Sequence, residues 1–223
     1  MKKLVSGAKK LGIDLDRAQI RRFLNYYDVV TEWNQKTNLT AVTGFDAFQT
    51  RHFLDSLAVN LAFNLNQLEC ERVLDVGTGA GFPGVPLMIA FPKLDITLVD
   101  SSAKKTMFLK HLLRKLGLVG VKVITGRAEV LAHNSRLRET FDVVLSRALA
   151  KLPTLVELTV PFCRPGGLVI AHKGTRVIGD LMQAQDAIMN VGGGLKEILP
   201  VSYEGSDRDS VLVVLEKVGA TPE

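Results

Sequence analysis

The sequence predicts a doubly wound α/β sheet that is mostly parallel, ends in a C-terminal antiparallel hairpin and follows an N-terminal helical extension. From residue 72 to residue 190, short Val/Ile/Leu-rich runs alternate with helical patterns, which is typical of a parallel sheet covered on both faces. The apolar runs 195–203 and 210–217 are separated only by a loop, so they must pair antiparallel. Up to residue 68 only helical periodicity occurs.

The extension is expected to contain two helices. The first has a buried face at spacings of three and four, formed by Ile20, Phe23, Leu24, Tyr27 and Val30. Asp14 or Asp16 can cap its start, and the second helix begins near Asp46. Trp33 is expected to anchor this helical core rather than to stack on a base. We assign residues 1–68 to the extension and residues 69–223 to the main domain.

The main domain has a regular alternation of elements. Strands are predicted at 72–76, 95–100, 121–125, 141–146 and 167–172. Helices are predicted at 84–91, 103–117, 129–138, 152–160 and 176–189. The last five residues, GATPE, carry no motif and are expected to form a frayed tail.

The composition argues against several classes of protein. No segment reaches the roughly 18 uninterrupted apolar residues of a membrane span, and the N-terminus lacks the apolar stretch of a signal peptide. Cys70 and Cys163 form no CxxC pair and the four histidines show no HxxxH spacing. We therefore expect no metal, no disulfide framework and a cytoplasmic location. Nothing suggests an obligate dimer, so we expect a monomer.

The net charge of +5 is unevenly distributed. The first 22 residues hold Lys2, Lys3, Lys9, Lys10, Arg17, Arg21 and Arg22 against only Asp14 and Asp16. Alone, this pattern is typical of a solvated helix face with a basic tail. It indicates an RNA-binding surface only if the rest of the chain points to nucleic acid.

Residues 73–86 read VLDVGTGAGFPGVP, a glycine-rich turn directly after the first strand of the predicted sheet. Gly79, Gly81 and Gly84 match the spacing of the dinucleotide fingerprint, so binding of NAD must be considered. However, Pro83 and Pro86 remove two backbone donors that a pyrophosphate would need at the start of the next helix. No GK[ST] follows, which argues against a P-loop.

S-adenosylmethionine carries no phosphate and fits this turn better. Asp75 lies two residues before the first glycine, where it can face the ammonium of the cofactor directly or through water. Asp100 ends the second strand, where a carboxylate can bind ribose hydroxyls in either cofactor class. Asp75, the prolines and the terminal hairpin together favour a Rossmann-like methyltransferase sheet over a dehydrogenase.

Several further segments carry a family resemblance: WNQKTNLT (33–40), RHFLDSL (51–57), DVGTGAGFPGVPL (75–87), VDSSAKK (99–105), GRAE (126–129), SRALAKL (146–152) and RPGGLVIAHKG (164–174). Over nearly its full length the chain resembles the bacterial small-subunit ribosomal RNA guanine-N7 methyltransferases, also called glucose-inhibited division protein B. The resemblance implies an S-adenosylmethionine-dependent enzyme. Its substrate would be an exposed guanine of 16S ribosomal RNA, presented as RNA or within the 30S subunit.

The resemblance also implies roles for individual residues. Cofactor positions are implied at Gly77 and Phe82 of the glycine turn, at Ala128 and Glu129 beside the adenine, and at Arg147. With Asp75, Gly79, Gly81, Asp100 and Ser101, these form the predicted cofactor set. Arg147, Lys173 and Arg127 are the candidate catalytic residues. The candidate RNA contacts are Lys2, Lys3, Lys9, Lys10, Lys104 and His52, although His52 and Asp55 are equally compatible with an ordinary surface pair on a helix.

The chemistry of guanine N7 agrees with what the sequence offers. N7 has an in-plane lone pair and no proton to remove, so neither a nucleophile nor a general base is required, and catalysis can consist mainly of positioning. Neither cysteine lies next to the expected transfer site, and SRAL replaces the [DN]PP[YF] turn of amine methyltransferases. Two alternatives stay open: an RNA-binding or assembly factor without turnover, and a methyltransferase that acts on a small molecule.

Overall fold

The N-terminal extension consists of helices and short loops. The computed structural model describes residues 1–63, 65, 71–203 and 210–222. The helices of the extension are α1 (Lys2–Lys10), α2 (Arg17–Thr37), α3 (Phe45–Phe48) and α4 (Asp55–Leu57). A π-helical segment, Gln49–Leu54, joins α3 to α4, and a 3-10 turn, Ala58–Leu61, follows. The predicted boundary at residues 68 and 69 lies outside the described residues, as does Cys70.

Helix α2 begins at a capping box, which identifies Asp16 as the cap. The Asp16 carboxylate accepts a hydrogen bond from the Gln19 amide, and the Gln19 side chain accepts one from the Asp16 amide, both at 2.8 Å. The Gln19 side chain also donates to the carbonyls of Ile89 and Ala90, each at 3.0 Å. The cap therefore also fixes the start of α2 to the main domain.

The described strands form one seven-stranded sheet in the order β3-β2-β1-β4-β5-β7-β6. The strands are β1 (Arg72–Val76), β2 (Asp95–Asp100), β3 (Lys122–Thr125), β4 (Phe141–Arg147), β5 (Cys163–Gly174), β6 (Gly193–Pro200) and β7 (Ser210–Lys217). Strands β1 to β5 pair in parallel, whereas β7 pairs antiparallel with both β5 and β6. The predicted fold class is confirmed, including the terminal hairpin.

Helices connect the strands on both faces of this sheet. They are α5 (Gly84–Ala90), α6 (Ala103–Leu116), α7 (Ala128–Leu131), α8 (Leu152–Thr159) and α9 (Val177–Asn190). The apolar stripe of α6 is buried, as its spacing predicts, and the helix ends at Gly117 with a φ of 63°. No helix of the described part of the chain is long and apolar enough to span a membrane.

The predicted helix 129–138 is wrong in length, because α7 already ends at Leu131. Residues 132–139 form turns instead. The Asn134 side chain accepts a hydrogen bond from the Arg136 amide at 2.9 Å, a local bond that competes with helical pairing. Glu139 then adopts a positive φ of 50°, which a helix does not allow.

The C-terminal tail is also more ordered than the sequence predicts. The Thr221 amide donates to the Glu139 carboxylate at 2.6 Å, and the Arg138 guanidinium donates to the carbonyls of Thr221 at 2.8 Å and Pro222 at 2.6 Å. Lys217, which is fully buried, pairs with Glu139 at 3.1 Å. The expectation of a frayed tail is therefore wrong for residues up to Pro222.

Two hydrophobic layers enclose the sheet. On one face, Phe23, Tyr26 and Phe53 of the extension share a core with Leu98 of β2 and Leu109 of α6. On the other face the core is formed largely by α8, α9 and the sheet. The carboxyl ends of the parallel strands meet at one edge between these layers, and the predicted site residues Gly77, Asp100, Ser101 and Arg147 lie at these strand ends.

Candidate active site

A cleft of about 340 Å³ opens at the carboxyl ends of β1, β2 and β4. It is lined by Val76, Gly77, Val99, Asp100, Ser101, Lys105, Gly126, Arg127, Ala128, Glu129, Ala148, Leu149 and Leu158. Of the predicted site residues, the cleft thus brings together Gly77, Asp100, Ser101, Arg127, Ala128 and Glu129. This is where ligands of open α/β sheets bind.

The glycine turn forms one wall of the cleft. Gly77 has a φ of 71°, and a Cβ at this position would lie 2.4 Å from Cδ1 of Leu149. Only glycine therefore allows Leu149 to approach the turn. A Cβ at Gly81 would lie 2.6 Å from the hydroxyl of Tyr26, so Gly81 serves the packing of α2. Gly79 and Gly81 do not line the cleft, and their contact with a cofactor stays a prediction.

Asp75 lies beneath the turn and is fully buried. Its Oδ2 accepts hydrogen bonds from the Thr78 hydroxyl at 2.7 Å and from the Gly84 amide at 2.8 Å. Burial raises the pKa of Asp75 to about 6, against the opposing effect of these two hydrogen bonds. Oδ1 has no partner among the described residues. The carboxylate thus holds the turn together from below, and its predicted contact with an ammonium stays a prediction.

The start of α5 does not offer the backbone amides that a pyrophosphate needs. Pro83 and Pro86 have no N–H group, the Gly84 amide binds Asp75, and the Val85 amide donates to the carbonyl of Gly81 at 2.8 Å. In dinucleotide-binding folds the corresponding helix start binds the phosphates. The turn is therefore suited to a cofactor without a pyrophosphate.

Asp100 connects the ends of β1 and β2 at the cleft. Only 5% of the residue is exposed. Its Oδ2 accepts a hydrogen bond from the Gly79 amide and its Oδ1 one from the Ser102 amide, both at 2.9 Å. The ammonium of Lys105 lies 3.8 Å from Oδ2. A carboxylate has about four acceptor positions, so lone pairs remain for hydroxyl groups of a ligand.

The rim of the cleft opposite the glycine turn carries a charged pair. The Arg127 guanidinium donates to Oε1 of Glu129 from Nε at 2.6 Å and from Nη2 at 2.5 Å. A hydrogen bond from its own backbone amide, together with Arg127, holds the pKa of Glu129 below its usual range. Ala128, Leu149 and Leu158 provide an apolar wall beside this pair, and such a wall can hold a flat aromatic ring.

Arg147 ends β4 and joins the sheet to the extension. Its guanidinium donates to the carbonyl of Arg51 at 2.9 Å, to the carboxylate of Asp55 at 3.1 Å and to Nδ1 of His52 at 2.9 Å. It also lies 4.9 Å from the centre of the Phe82 ring. Arg147 itself does not line the cleft, but Ala148 and Leu149, which follow it directly, do.

His52 is buried, with 7% of the residue exposed, and is not the surface residue that the sequence predicts. Burial and the Arg147 guanidinium lower its pKa to about 3. The neutral ring accepts from Arg147 at Nδ1 and so carries its proton on Nε2, which lies 2.7 Å from the Thr40 hydroxyl. A neutral, internally bonded ring is not available as a cationic RNA contact, so His52 is corrected to a residue that positions Arg147.

Phe82 belongs to an aromatic cluster between the glycine turn and the extension. Its ring stacks with His52 at 4.5 Å and with Tyr26 at 5.3 Å between ring centres. The Tyr26 hydroxyl donates to the carbonyl of Ala80 at 2.7 Å. The cluster fixes the turn against α2, and the predicted cofactor contact of Phe82 stays a prediction because the ring does not line the cleft.

Lys173 and Cys163 lie on β5. The Lys173 ammonium donates to the carbonyl of Ala150, in the loop after β4, and burial lowers its pKa. Lys173 thus supports the loop that lines the cleft without lining it. Burial also raises the pKa of the Cys163 thiol to about 12, so this thiol stays protonated and is not an activated nucleophile.

The lysines predicted to contact RNA are exposed on α1 and α6. Lys2, Lys3, Lys9 and Lys10 lie on the exposed face of α1, whose other face buries Leu4, Gly7 and Ala8. The Leu4 amide donates to the Gln49 side chain at 3.2 Å, so α1 packs on the segment that carries His52. Lys104 is exposed and donates to the carbonyl of Lys36 at 3.1 Å. A contact of these lysines with RNA stays a prediction.

A comparison with known proteins decides the family. Residues 19–207 match the family model described as rRNA small subunit methyltransferase G. The chain belongs to the rRNA small subunit methyltransferase G family. Relatives named as ribosomal RNA small subunit methyltransferase G include those of Dehalococcoides mccartyi, 41% identical, and Roseiflexus castenholzii, 42% identical. Each alignment covers 100% of this chain and 93% of the relative, so the resemblance predicted from sequence is confirmed.

Solved structures of other proteins share the fold of this chain. A MtNAS variant solved in complex with S-adenosylmethionine aligns with a TM-score of 0.58 at 16% identity, over 97% of this chain and 77% of that one. TrmN from Thermus thermophilus aligns with a TM-score of 0.56 at 19% identity, over 76% of this chain and 53% of that one. At these identities the similarity concerns the fold alone.

Sequence reasoning missed how Asp55 and Thr40 contribute to the site of this methyltransferase G family member. The sequence leaves open whether His52 and Asp55 form an ordinary surface pair or an RNA contact, and it indicates no role for Thr40. Both residues fall in segments that carry the family resemblance, 51–57 and 33–40. That placement was the available signal, but Arg147, the partner of Asp55, is 92 residues from it in the chain, and Thr40 is connected to Arg147 only through His52.

Proposed function

We propose that this protein transfers the methyl group of S-adenosylmethionine to N7 of a specific guanine in the 16S ribosomal RNA of the small subunit. The observation that carries the proposal is the match of nearly the whole chain to the rRNA small subunit methyltransferase G family. The cleft geometry supports it, because the backbone amides of the turn already donate hydrogen bonds within the protein and none at the start of α5 is left for a pyrophosphate.

The residues of the cleft fit this cofactor. Asp100 keeps acceptor positions for ribose hydroxyls, and Ala128, Leu149 and Leu158 offer an apolar slot for the adenine ring. Gly77 lets Leu149 pack against the turn and so helps to form the apolar slot. When bound, S-adenosylmethionine supplies an electrophilic methyl group on a positively charged sulfur.

The protein's own task is then to position the guanine. N7 has a lone pair and no proton, so no side chain has to remove a proton or attack the base. In-line positioning alone can supply a large part of the rate enhancement. Arg127, on the rim of the cleft, is the proposed donor to the guanine O6 edge or to a neighbouring phosphate, and Arg147 and Lys173 are proposed to act by holding the loop after β4 that lines the cleft. The protonated Cys163 thiol agrees with a reaction without a nucleophile.

We further propose that the protein works as a cytoplasmic monomer on ribosomal RNA. The basic face of α1 supports a polyanionic partner. The alternative hypothesis of an assembly factor without turnover is less well supported, because five residues of the predicted cofactor set, Gly77, Asp100, Ser101, Ala128 and Glu129, line one cleft.

Methyl transfer to RNA from a strain that lacks this protein tests the proposal. Purified protein, S-adenosylmethionine and 30S subunits from that strain should yield one new methylated guanine, mapped by mass spectrometry of the 16S RNA. Binding of the subunit without any methyl incorporation would favour the assembly factor. Methyl transfer that proceeds equally well to small molecules without RNA would favour the small-molecule enzyme.

A further inference from the structure

A second concavity, of about 460 Å³, lies between the last turn of α2 and the exposed side of α6. We infer that this α2/α6 groove binds an unpaired nucleotide of the RNA substrate next to the methylated guanine. Its base would stack on Trp33, and its phosphates would lie against Lys36, Lys104 and Lys115. The inference rests on the proposed function, because it assigns a place to the RNA strand that enters the cofactor cleft.

The groove exposes aromatic and apolar surface that the fold does not need to expose. Trp33 is only partly buried, although its ring packs edge-on against Phe108 at 5.4 Å and at a tilt against His111 at 5.2 Å. Met107, which also lines the groove, is 57% exposed. Trp33 therefore does more than anchor the helical core. Aromatic rings in an open groove are the typical platform on which single-stranded bases stack.

The charges around this surface have the sign that RNA requires. Lys36, Lys104 and Lys115 line the groove and are exposed, and Glu32 is the acidic residue of its lining. The Lys104 ammonium donates one hydrogen bond to the carbonyl of Lys36, at 3.1 Å, and has two further N–H donors. Lysines beside an aromatic platform combine backbone attraction with base stacking.

The groove also adjoins the cofactor cleft. Lys104 lines the groove, whereas its neighbour in the chain, Lys105, lines the cleft. Both stand on the first turn of α6, directly after the carboxyl end of β2. From Lys104 to Lys115 the helix rises about 16 Å, so a strand that follows the groove reaches the cleft at its Lys104 end. A base held on Trp33 therefore flanks the target guanine.

Trp33 is the only tryptophan in the chain, so its fluorescence reports on the groove directly. We expect a transcript of unmodified 16S ribosomal RNA, which contains no tryptophan, to quench this emission over the same concentration range in which filter binding saturates. The transcript should also protect Trp33 from quenching by iodide or acrylamide. Full binding that leaves the emission and the quencher access unchanged would overturn the inference.

Paired substitutions separate the groove from general electrostatics. Lys36→Gln with Lys115→Gln should weaken RNA binding at least about fivefold more than Lys110→Gln with Arg114→Gln. The second pair is a matched control, because both residues are exposed on α6 and lie outside the groove lining. Equal losses in the two pairs would contradict the inference.

Substitution of the platform itself gives an independent test. Trp33→Leu should weaken RNA binding about 5- to 100-fold, and Trp33→Phe should restore most of the affinity. If Trp33→Leu does not fold, the RNA affinities of Trp33→Phe and of the two pairs of substitutions test the inference instead. Methyl transfer by the wild-type protein in the same reactions separates the two proposals. If the wild-type protein transfers methyl groups but the groove substitutions do not change RNA binding, the inference about the groove is rejected and the proposed function stands. If the wild-type protein transfers no methyl group, the proposed function is rejected.

Discussion

The guanidinium of Arg147, at the end of β4, lies 3.1 Å from the carboxylate of Asp55, at the start of α4. The pair connects the edge of the sheet where the parallel strands have their carboxyl ends to the N-terminal extension, and both side chains are mostly buried. His172 adds to the connection, because its Nε2 lies 2.7 Å from the carbonyl of Asp55. The extension therefore helps to build the site by fixing the residue that precedes the cleft-lining loop.

Replacing Asp55 by Asn should disturb the site through Arg147. The substitution removes the ion pair but retains a side chain of similar size, so we expect a loss of about 1–3 kcal/mol in the free energy of unfolding. The turnover number should fall about 10- to 100-fold, because the loop after Arg147 loses its position. Denaturant unfolding and steady-state kinetics measure the two effects.

Asp46→Asn is the matched control for this prediction. Asp46 pairs with Lys3 at 3.0 Å in the same extension, but both side chains are more than half exposed. Its loss should cost less than about 1 kcal/mol and leave turnover unchanged. If Asp55→Asn behaves like Asp46→Asn, Asp55 does not position Arg147.

The stability of the protein should decline at mildly acidic pH because of His52. Its pKa is about 3 in the folded protein, below the ordinary value of 6.5 that applies to the unfolded chain. Below pH 6.5, His52 therefore binds a proton in the unfolded chain but stays neutral in the folded protein. The stability that is present above pH 6.5 is lost as the pH falls. Between pH 7 and pH 5 this amounts to about 2 kcal/mol.

His52→Gln should remove this part of the pH dependence, since Gln can accept from Arg147 and donate to Thr40 without titrating. The difference in unfolding free energy between wild type and variant should change by about 2 kcal/mol over that range. Subtracting the unfolding free energy of the variant from that of the wild type removes the contribution of Asp75, which is the same in both proteins. The raised pKa of Asp75 changes stability with pH in the opposite direction to that of His52. A difference that is constant with pH would mean that His52 is not buried in neutral form.

Asp100→Asn should affect both the cofactor and the fold. The carboxylate accepts from the amides of Gly79 and Ser102, and an Asn side chain has only one oxygen for both. We expect a loss of about 1–3 kcal/mol in stability and weaker binding of S-adenosylhomocysteine in calorimetry. Asp95→Asn, at the partly exposed start of the same strand and away from the cleft lining, is the control. Unchanged cofactor affinity in Asp100→Asn would remove Asp100 from the predicted site.

The basic residues should divide into two functional groups. Replacing Lys2, Lys3, Lys9 and Lys10 by Gln should weaken RNA binding and lower the slope of its salt dependence by up to about 3, with turnover at saturating RNA nearly normal. The buried face of α1 is unaffected by these changes. Lys173→Ala should instead depress turnover at saturation, because the Ala150 loop loses its support.

Steady-state kinetics at two salt concentrations distinguish the two groups. A quadruple α1 variant that loses turnover at saturation, or a Lys173→Ala variant that loses only affinity, would show that the roles are reversed.

Much of the fold could be predicted because its signals are local. The alternation of strands and helices, the stripe of α6 and the hairpin each depend on residues within a few positions of one another. The glycine turn was placed correctly at the end of β1 for the same reason. The length of α7 is wrongly predicted because the Asn134 side chain forms a local hydrogen bond that competes with helical pairing, a preference that the apolar pattern does not show.

The sequence by itself determined the doubly wound sheet, the helical extension and the position of the cofactor turn, since these follow from short-range periodicity and from the steric freedom of glycine. Only the tertiary structure decided that His52 is a buried, neutral partner of Arg147 rather than a surface contact, and that Asp75 closes the turn from below. Arg147 and His52 are 95 residues apart in the chain. Their contact is set by how the extension packs on the sheet, and no periodicity in the sequence records which side chains that packing brings together.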